Sequence, residues 1–154
     1  MTKNEIVNVQ NIEVDVRASL DENGGVSFDS LWRNKNGPNG VWHSGPIILP
    51  NGPDHYRMEF DLNDKSGQNL TFYPTPADAM YVQVGSCPSG PGNGAGQIDF
   101  ETVTNGKKKL TIKDVNQAQC NLHYMLRFDG KAGVGGPPYQ YDPEIRNGGG
   151  GSII

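Results

Sequence analysis

Residues 98–128 carry alternating apolar runs back to back, and that pattern leaves one fold class open to the chain. Ile98 and Phe100 stand two apart, then Leu110 and Ile112, then Leu122, Tyr124, Leu126 and Phe128. A period of two is that of a strand with one buried face, whereas a helix repeats its apolar face every three or four residues. Asn105-Gly106 lies between the first two runs, and Asn-Gly flanked by alternating residues signals a hairpin. Two registers compete there. A two-residue turn pairs Thr104 with Lys107 and Glu101 with Leu110, mixing charge and core on both faces. A three-residue loop of Thr104, Asn105 and Gly106 pairs Val103 with Lys107, Phe100 with Leu110 and Ile98 with Ile112. It also sets Glu101 against Lys109, with Gly106 in the left-handed position of a bulge. The three-residue register keeps the faces clean and is the one expected.

The rest of the chain repeats this grammar. Ile12, Val14 and Val16 alternate with Glu13, Asp15 and Arg17, giving an opening strand over residues 6–16 with a break near Asn8–Asn11. Val26 and Phe28 begin a strand running towards Trp32. Residues 41–49 are strand-like but contain Pro46, which confines them to an edge or a bulge. Tyr56, Met58, Phe60 and Leu62 alternate cleanly, with Leu70 and Phe72 as their expected antiparallel partner. Met80, Val82 and Val84 form another strand. The last run, 139–146, contains Asp142-Pro143, so it is expected at an edge or bulged at Pro143. The 21 glycines and 11 prolines of this 154-residue chain cluster between the runs without a period, which excludes collagen and bulk disorder.

These elements sum to an all-β chain. We expect an immunoglobulin-like, two-sheet antiparallel β-sandwich of about eight or nine strands. Its prolines need edges, which a closed barrel lacks. Residues 1–147 are expected to form a single domain, and 148–154 a flexible glycine-rich tail.

Several function classes find little in the residues. The net charge of −4 offers no basic face for a phosphate backbone, so no nucleic-acid partner is expected. Lys107-Lys108-Lys109 reads as a solvated hairpin tip. No apolar run approaches the about 20 residues of a membrane helix, and the polar start lacks a secretory core, so a cytoplasmic protein is expected. Cys87 and Cys120 fit no metal spacing and are expected to be free thiols. His43, His55 and His123 include no i, i+2 pair, and His55 falls on the polar face of its strand, so no metal site is expected. Asp61, Asn63 and Asp64 lack the glutamate that closes a calcium loop. No cofactor is implied: the glycine loop 85–96 precedes a strand rather than a helix, and so reads as a mobile connection rather than a phosphate cradle. No nucleophile stands beside a base, and Glu59, Asp61, Asp99 and Glu101 are strand-face carboxylates, so no catalytic residue is assigned.

The aromatic residues give the tangible candidates. Trp32, Trp42, His43, Tyr139 and Tyr141 are the expected ligand-binding set, since exposed rings on a sandwich stack on sugars or anchor a partner. The competing reading places both tryptophans in the core. The expected function is a non-enzymatic binding or protein-interaction module, with self-association through edge strands as one route. Its alternative is a carbohydrate- or small-ligand-binding domain centred on Trp42.

The run Tyr139-Gln140-Tyr141-Asp142-Pro143-Glu144-Ile145-Arg146-Asn147 is the most distinctive in the chain. With Asp142, Pro143 and Glu144 after paired tyrosines, it resembles the ending of the small bacterial proteins of the DP-EP family. Ile145 stands where the DP-EP label would have proline. The run is also similar to the closing strand of the AidA/PixA inclusion-body proteins. The resemblance implies a compact all-β protein and supplies no catalytic residue.

Overall fold

In a computed structural model of the chain, described over residues 7–37, 40–130 and 139–151, the alternating runs are strands of two mixed sheets. The strands are β1 (Val9–Leu20), β2 (Val26–Asn34), β3 (Ile47–Leu49), β4 (His55–Lys65), β5 (Thr71–Phe72), β6 (Met80–Val84), β7 (Ile98–Thr104), β8 (Lys109–Asp114), β9 (Gln119–Asp129), β10 (Tyr139–Tyr141) and β11 (Glu144–Gly148). One helical turn, α1 (Pro76–Ala79), precedes β6. The first sheet runs β2-β1-β4-β8-β7. The second runs β10-β9-β11-β3, with β5 and β6 on the other side of β9.

Period-two patterning decides what faces inward. Ile12, Val14, Val16 and Ala18 of β1 and Met58, Phe60 and Leu62 of β4 meet Leu122, Tyr124, Leu126 and Phe128 of β9 in one core cluster. The opposite face of the first sheet is laced by cross-strand ion pairs. Arg33 meets Glu13 at 2.8 Å, Arg17 meets Asp29 at 2.8 Å, and Arg57 meets Glu101 at 2.8 Å.

Pairing departs from expectation in four places. First, the sheets are not purely antiparallel: β1 runs parallel to β4 from Val9↔His55 to Ser19↔Lys65, and β3 runs parallel to β11. The opening strand is also unbroken at residues 9–11, while Ile6 lies outside the described residues.

Second, β5 does not pair with β4; it crosses to the other sheet, where Phe72 meets Phe128. The turn that carries it across is held by the Asp64 carboxylate, which accepts from Ser66 N at 2.9 Å and Leu70 N at 2.8 Å.

Third, neither hairpin register occurs. Thr104 pairs with Lys109 and Val103 with Leu110 across a four-residue loop, and a bulge between Phe100 and Thr102 then resets the ladder so that Phe100 meets Ile112. Asn105, Gly106 and Lys107 all take left-handed backbone (φ 56°, 62° and 64°), because the tip is tied down. Lys107 O accepts from Phe72 N at 2.8 Å, and Lys108 O accepts from Leu62 N at 2.8 Å. Lys107 is exposed, as expected of a tip, but the other two lysines are not simply solvated. Lys108 Nζ donates to Leu70 O, and Lys109 Nζ bridges Glu59 at 3.0 Å and Asp61 at 3.5 Å.

Fourth, the glycine-rich end is docked rather than free over its described part, 148–151; residues 152–154 lie outside the described residues. Gly149 N donates to Asn116 Oδ1 at 3.0 Å, Gly150 N to Gln117 O at 3.1 Å and Gly151 N to Asn116 O at 2.7 Å. A Cβ on Gly151 would stand 1.8 Å from Val115 O, so only glycine fits the slot. Gly151→Ala should cost about 1–3 kcal/mol, read as a lower urea midpoint with an unchanged slope. A midpoint matching the parent would mean that the strap contributes nothing.

The 85–97 connection is likewise folded against the domain. Val82 N donates to Gly92 O at 3.0 Å and Gly94 N to Val82 O at 3.1 Å, so residues 92–94 cover the outer edge of β6.

Candidate functional site

Segment 41–49 builds the candidate site because it changes sheets part-way along. His43 exchanges two backbone hydrogen bonds with Trp32 (2.9 and 2.7 Å), laying it against the outer edge of β2. Gly45, at φ +81°, and Pro46, which has no N–H, then turn the chain away, and Ile47–Leu49 joins the second sheet as its terminal strand β3. The sequence placed Pro46 at an edge or bulge for this reason, though only three residues beyond it are strand.

Alternation along that segment sorts the candidate aromatics. His43 tilts against Trp32 with ring centroids 4.7 Å apart. Trp32, Asn34, Gly37, Gly40, Val41, His43 and Ile48 line a cavity of about 370 Å³. Trp42 takes the opposite side, with the Arg33 guanidinium 4.5 Å from its ring centroid. Trp42 and His43, grouped by the sequence reading, are therefore parted, and Trp32 is the tryptophan in the cavity wall. Trp32 packs against the core and is half-buried, while Trp42 is 37% exposed. Val41 and Ile48, each 56% exposed, were missed by the sequence reading; an apolar residue in a terminal strand beside Pro46 was the available signal. The Asn34 amide in the lining is engaged already: it donates to Gln10 at 2.7 Å and accepts from Asn36 N at 2.9 Å. The buried Trp32 Nε1 has no acceptor among the described residues.

A second, open crevice of about 580 Å³ lies beyond Gly45, between β2 and the β10–β11 junction. Asp142 and Pro143 interrupt the expected last strand, splitting it into β10 and β11, while Pro143 O still accepts from Tyr124 N at 3.0 Å. Tyr141, Asp142, Pro143 and Glu144 all line this crevice, with Arg17, Asp29 and His123. Tyr141 stacks on Phe28 at 5.7 Å, and its hydroxyl shares a 2.8 Å hydrogen bond with Ser30 Oγ. Burial raises the Tyr141 phenol above its ordinary range. His123 Nε2 stands 3.9 Å from Glu144 Oε2, and Arg146 binds Glu144 at 3.0 Å. Tyr139 joins neither cavity; it packs on the core with its hydroxyl 3.5 Å from Gln68.

His55 is 1% exposed, against the expectation of a polar-face histidine, because β4 enters the sheet with both His55 and Tyr56 buried. The carboxylates Glu59, Asp61, Asp99 and Glu101 are each ion-paired on the outer face of the first sheet. The Lys109 hydrogen bond lowers the Glu59 carboxyl, whereas burial raises that of Asp61. Cys87 and Cys120 are both free. Among the described residues, no group of three histidine, cysteine or acidic side chains is placed to hold a metal, and no helix is long and apolar enough to cross a membrane.

The inward faces also carry a polar cluster. Asp114 continues the inward parity of Leu110 and Ile112, and Asn147 that of Ile145. Asp114 Oδ1 accepts from Asn116 N at 2.7 Å and Asn147 Nδ2 at 3.0 Å. Asp114 Oδ2 and Asn147 Oδ1 are buried without donors among the described residues. Burial pushes the Asp114 carboxyl from 3.8 up to about 7, although both hydrogen bonds pull it down.

No family model matches the sequence, and no curated protein matches it. Among solved structures, the chain is similar to the inclusion body protein PixA from Burkholderia cenocepacia J2315. The TM-score is 0.35 and the identity 8%, over 95% of this chain and 99% of that one. A likeness at that level carries no inference about either architecture or function.

Proposed function

We propose that this protein is a non-enzymatic protein-interaction module on an immunoglobulin-like sandwich, consistent with the compact all-β protein that the DP-EP resemblance implies, and that it takes an apolar side chain of its partner into the Trp32–His43 cavity. One observation carries this reading. Val41 and Ile48, both more than half exposed, stand with Trp32 and His43 around a single cavity beside a sheet edge. Large apolar side chains gathered at a concave site mark recognition surfaces more often than scattered ones do. The lining favours a protein side chain over a sugar, because its large side chains Trp32, Val41 and Ile48 are apolar and its one amide, Asn34, already holds partners within the chain.

The test is an NMR titration with N-acetyl-leucinamide and N-acetyl-tryptophanamide as side-chain surrogates. Resonances of Val41, His43, Ile48 and the Trp32 indole N–H should shift together. Ile48→Ser, which alters only an exposed side chain, should weaken binding about fivefold. Shifts elsewhere, or a response indifferent to Ile48→Ser, would end the reading.

Trp42 favours a second reading. Arg33 stands over its ring and Trp42 is 37% exposed, which leaves indole surface that a sugar could stack on. A glycan array on the parent and on Trp42→Ala decides it: binding lost in the variant supports carbohydrate recognition, and no binding by the parent dismisses it.

A further inference from the structure

The edge of β2 beyond His43 carries unpaired backbone groups, and the strand ladder shows which ones. Trp32 directs both its N–H and its C=O at His43, away from β1. In an antiparallel ladder the residues whose groups point to one edge recur every second position. The β1–β2 register is unbroken from Ile12↔Asn34 to Leu20↔Val26, so Ser30 and Phe28 point their N–H and C=O the same way as Trp32. No described residue pairs with them. The chain itself would have covered them had it continued straight past Ser44. It leaves instead at Gly45-Pro46, where a left-handed glycine turns the backbone and the proline has no N–H to offer.

This bare edge opens onto the crevice of about 580 Å³. The facing wall is the β10–β11 junction, and β10 is itself a terminal strand of its sheet. We infer that the outer edge of β2 at Phe28 and Ser30 is an acceptor for an extended peptide strand with basic side chains, which pairs antiparallel to β2 in line with Ser44. Backbone groups would supply the ladder, and alternate side chains of the incoming strand would enter the crevice beside Pro46, Pro143 and His123.

Charge selects the occupant. The lining carboxylates are Asp29, Asp142 and Glu144. Arg17 neutralises Asp29 and Arg146 engages Glu144, but Asp142 is exposed and has no cation among the described residues. A second copy of a chain with net charge −4 would bring like charge to that wall, whereas a lysine- or arginine-bearing strand brings the opposite charge. The inference does not depend on the Trp32–His43 cavity, which lies on the other side of the Trp32–His43 bridge.

The probes are two synthetic peptides, acetyl-Lys-Val-Thr-Val-Lys-amide and its counterpart with glutamate at both lysine positions. Amide hydrogen exchange of the full chain is followed by NMR. In the free protein the Phe28 and Ser30 amides should exchange fast, and the lysine peptide should protect both while the glutamate peptide does not. Asp142→Lys should weaken the lysine peptide about tenfold, and high salt should weaken it as well. Ile48→Ser should leave its affinity unchanged, which separates this edge from the neighbouring cavity. The inference is overturned if the two amides are already protected in the free monomer. It is equally overturned if the glutamate peptide binds as tightly, or if protection grows with protein concentration alone, since the occupant would then be a second copy.

Discussion

Asp114→Asn should make this protein more stable at pH 8 than the parent, and the advantage should vanish near pH 4. The Asp114 carboxyl titrates at about 7 in the folded chain against 3.8 when free. Between those values the folded state holds a proton that the unfolded chain has released. Its contribution to stability is therefore fullest below pH 4, declines as pH rises towards 7, and stays lost above it. Three pH units of displacement correspond to about 4 kcal/mol at most. We expect about 2–4 kcal/mol of relief at pH 8, because asparagine carries no charge to desolvate and its Oδ1 can keep accepting from Asn116 N and Asn147 Nδ2. Urea unfolding of both proteins at pH 4, 6 and 8 measures the difference directly, and other titrating groups cancel in it. Parallel curves for parent and variant would show that Asp114 is ionised at no cost, and that the cluster of Asn116 and Asn147 compensates its charge in full.

The second large effect is expected at Phe128. Its ring stacks on Phe28 at 5.2 Å and tilts against Phe72 at 4.9 Å, while Phe28 also stacks on Tyr141. Phe28 belongs to the first sheet and the other three to the second, so this stack ties the sheets together beneath the crevice. Phe128 is fully buried, and truncation removes both its transfer energy and its neighbours' contacts. Phe128→Ala should cost about 3–5 kcal/mol. The loss should appear in the denaturation midpoint, and the Tyr141 hydroxyl should lose its fixed bond to Ser30. A cost below about 1 kcal/mol would mean that the aromatic cluster repacks around the gap and does not hold the sheets in place.

Both predictions rest on residues whose inward direction was legible from parity alone. Leu110, Ile112 and Asp114 are evenly spaced, as are Ile145 and Asn147, so the inward direction of each follows from parity, whereas their meeting across the two sheets does not. The same parity parts Trp42 from His43, although the sequence reading grouped them by adjacency. Hairpin register was not legible in the same way. A two- or three-residue loop satisfies the local pattern, and the four-residue loop exists because Phe72 N and Leu62 N capture the carbonyls of Lys107 and Lys108 from other strands. The fate of the terminal glycines was hidden for a related reason. A residue without a side chain gives no facing signal, and the slot that admits Gly151 is built by Val115 and Asn116.

From the sequence alone came the all-β class, the inward and outward faces of the longer strands, and a proline-marked edge near residue 46. Those are local properties: the pleat points successive side chains to opposite sides whatever the neighbouring strand is. Only the tertiary structure decided that β1 and β4 run parallel, that β5 changes sheets, and that the chain leaves β2 at Gly45-Pro46, so that no described residue pairs with its outer edge at Phe28 and Ser30. Strand pairing joins backbone groups far apart in the chain. Every non-proline backbone carries the same donor and acceptor, so the choice of partner is not written in any one stretch.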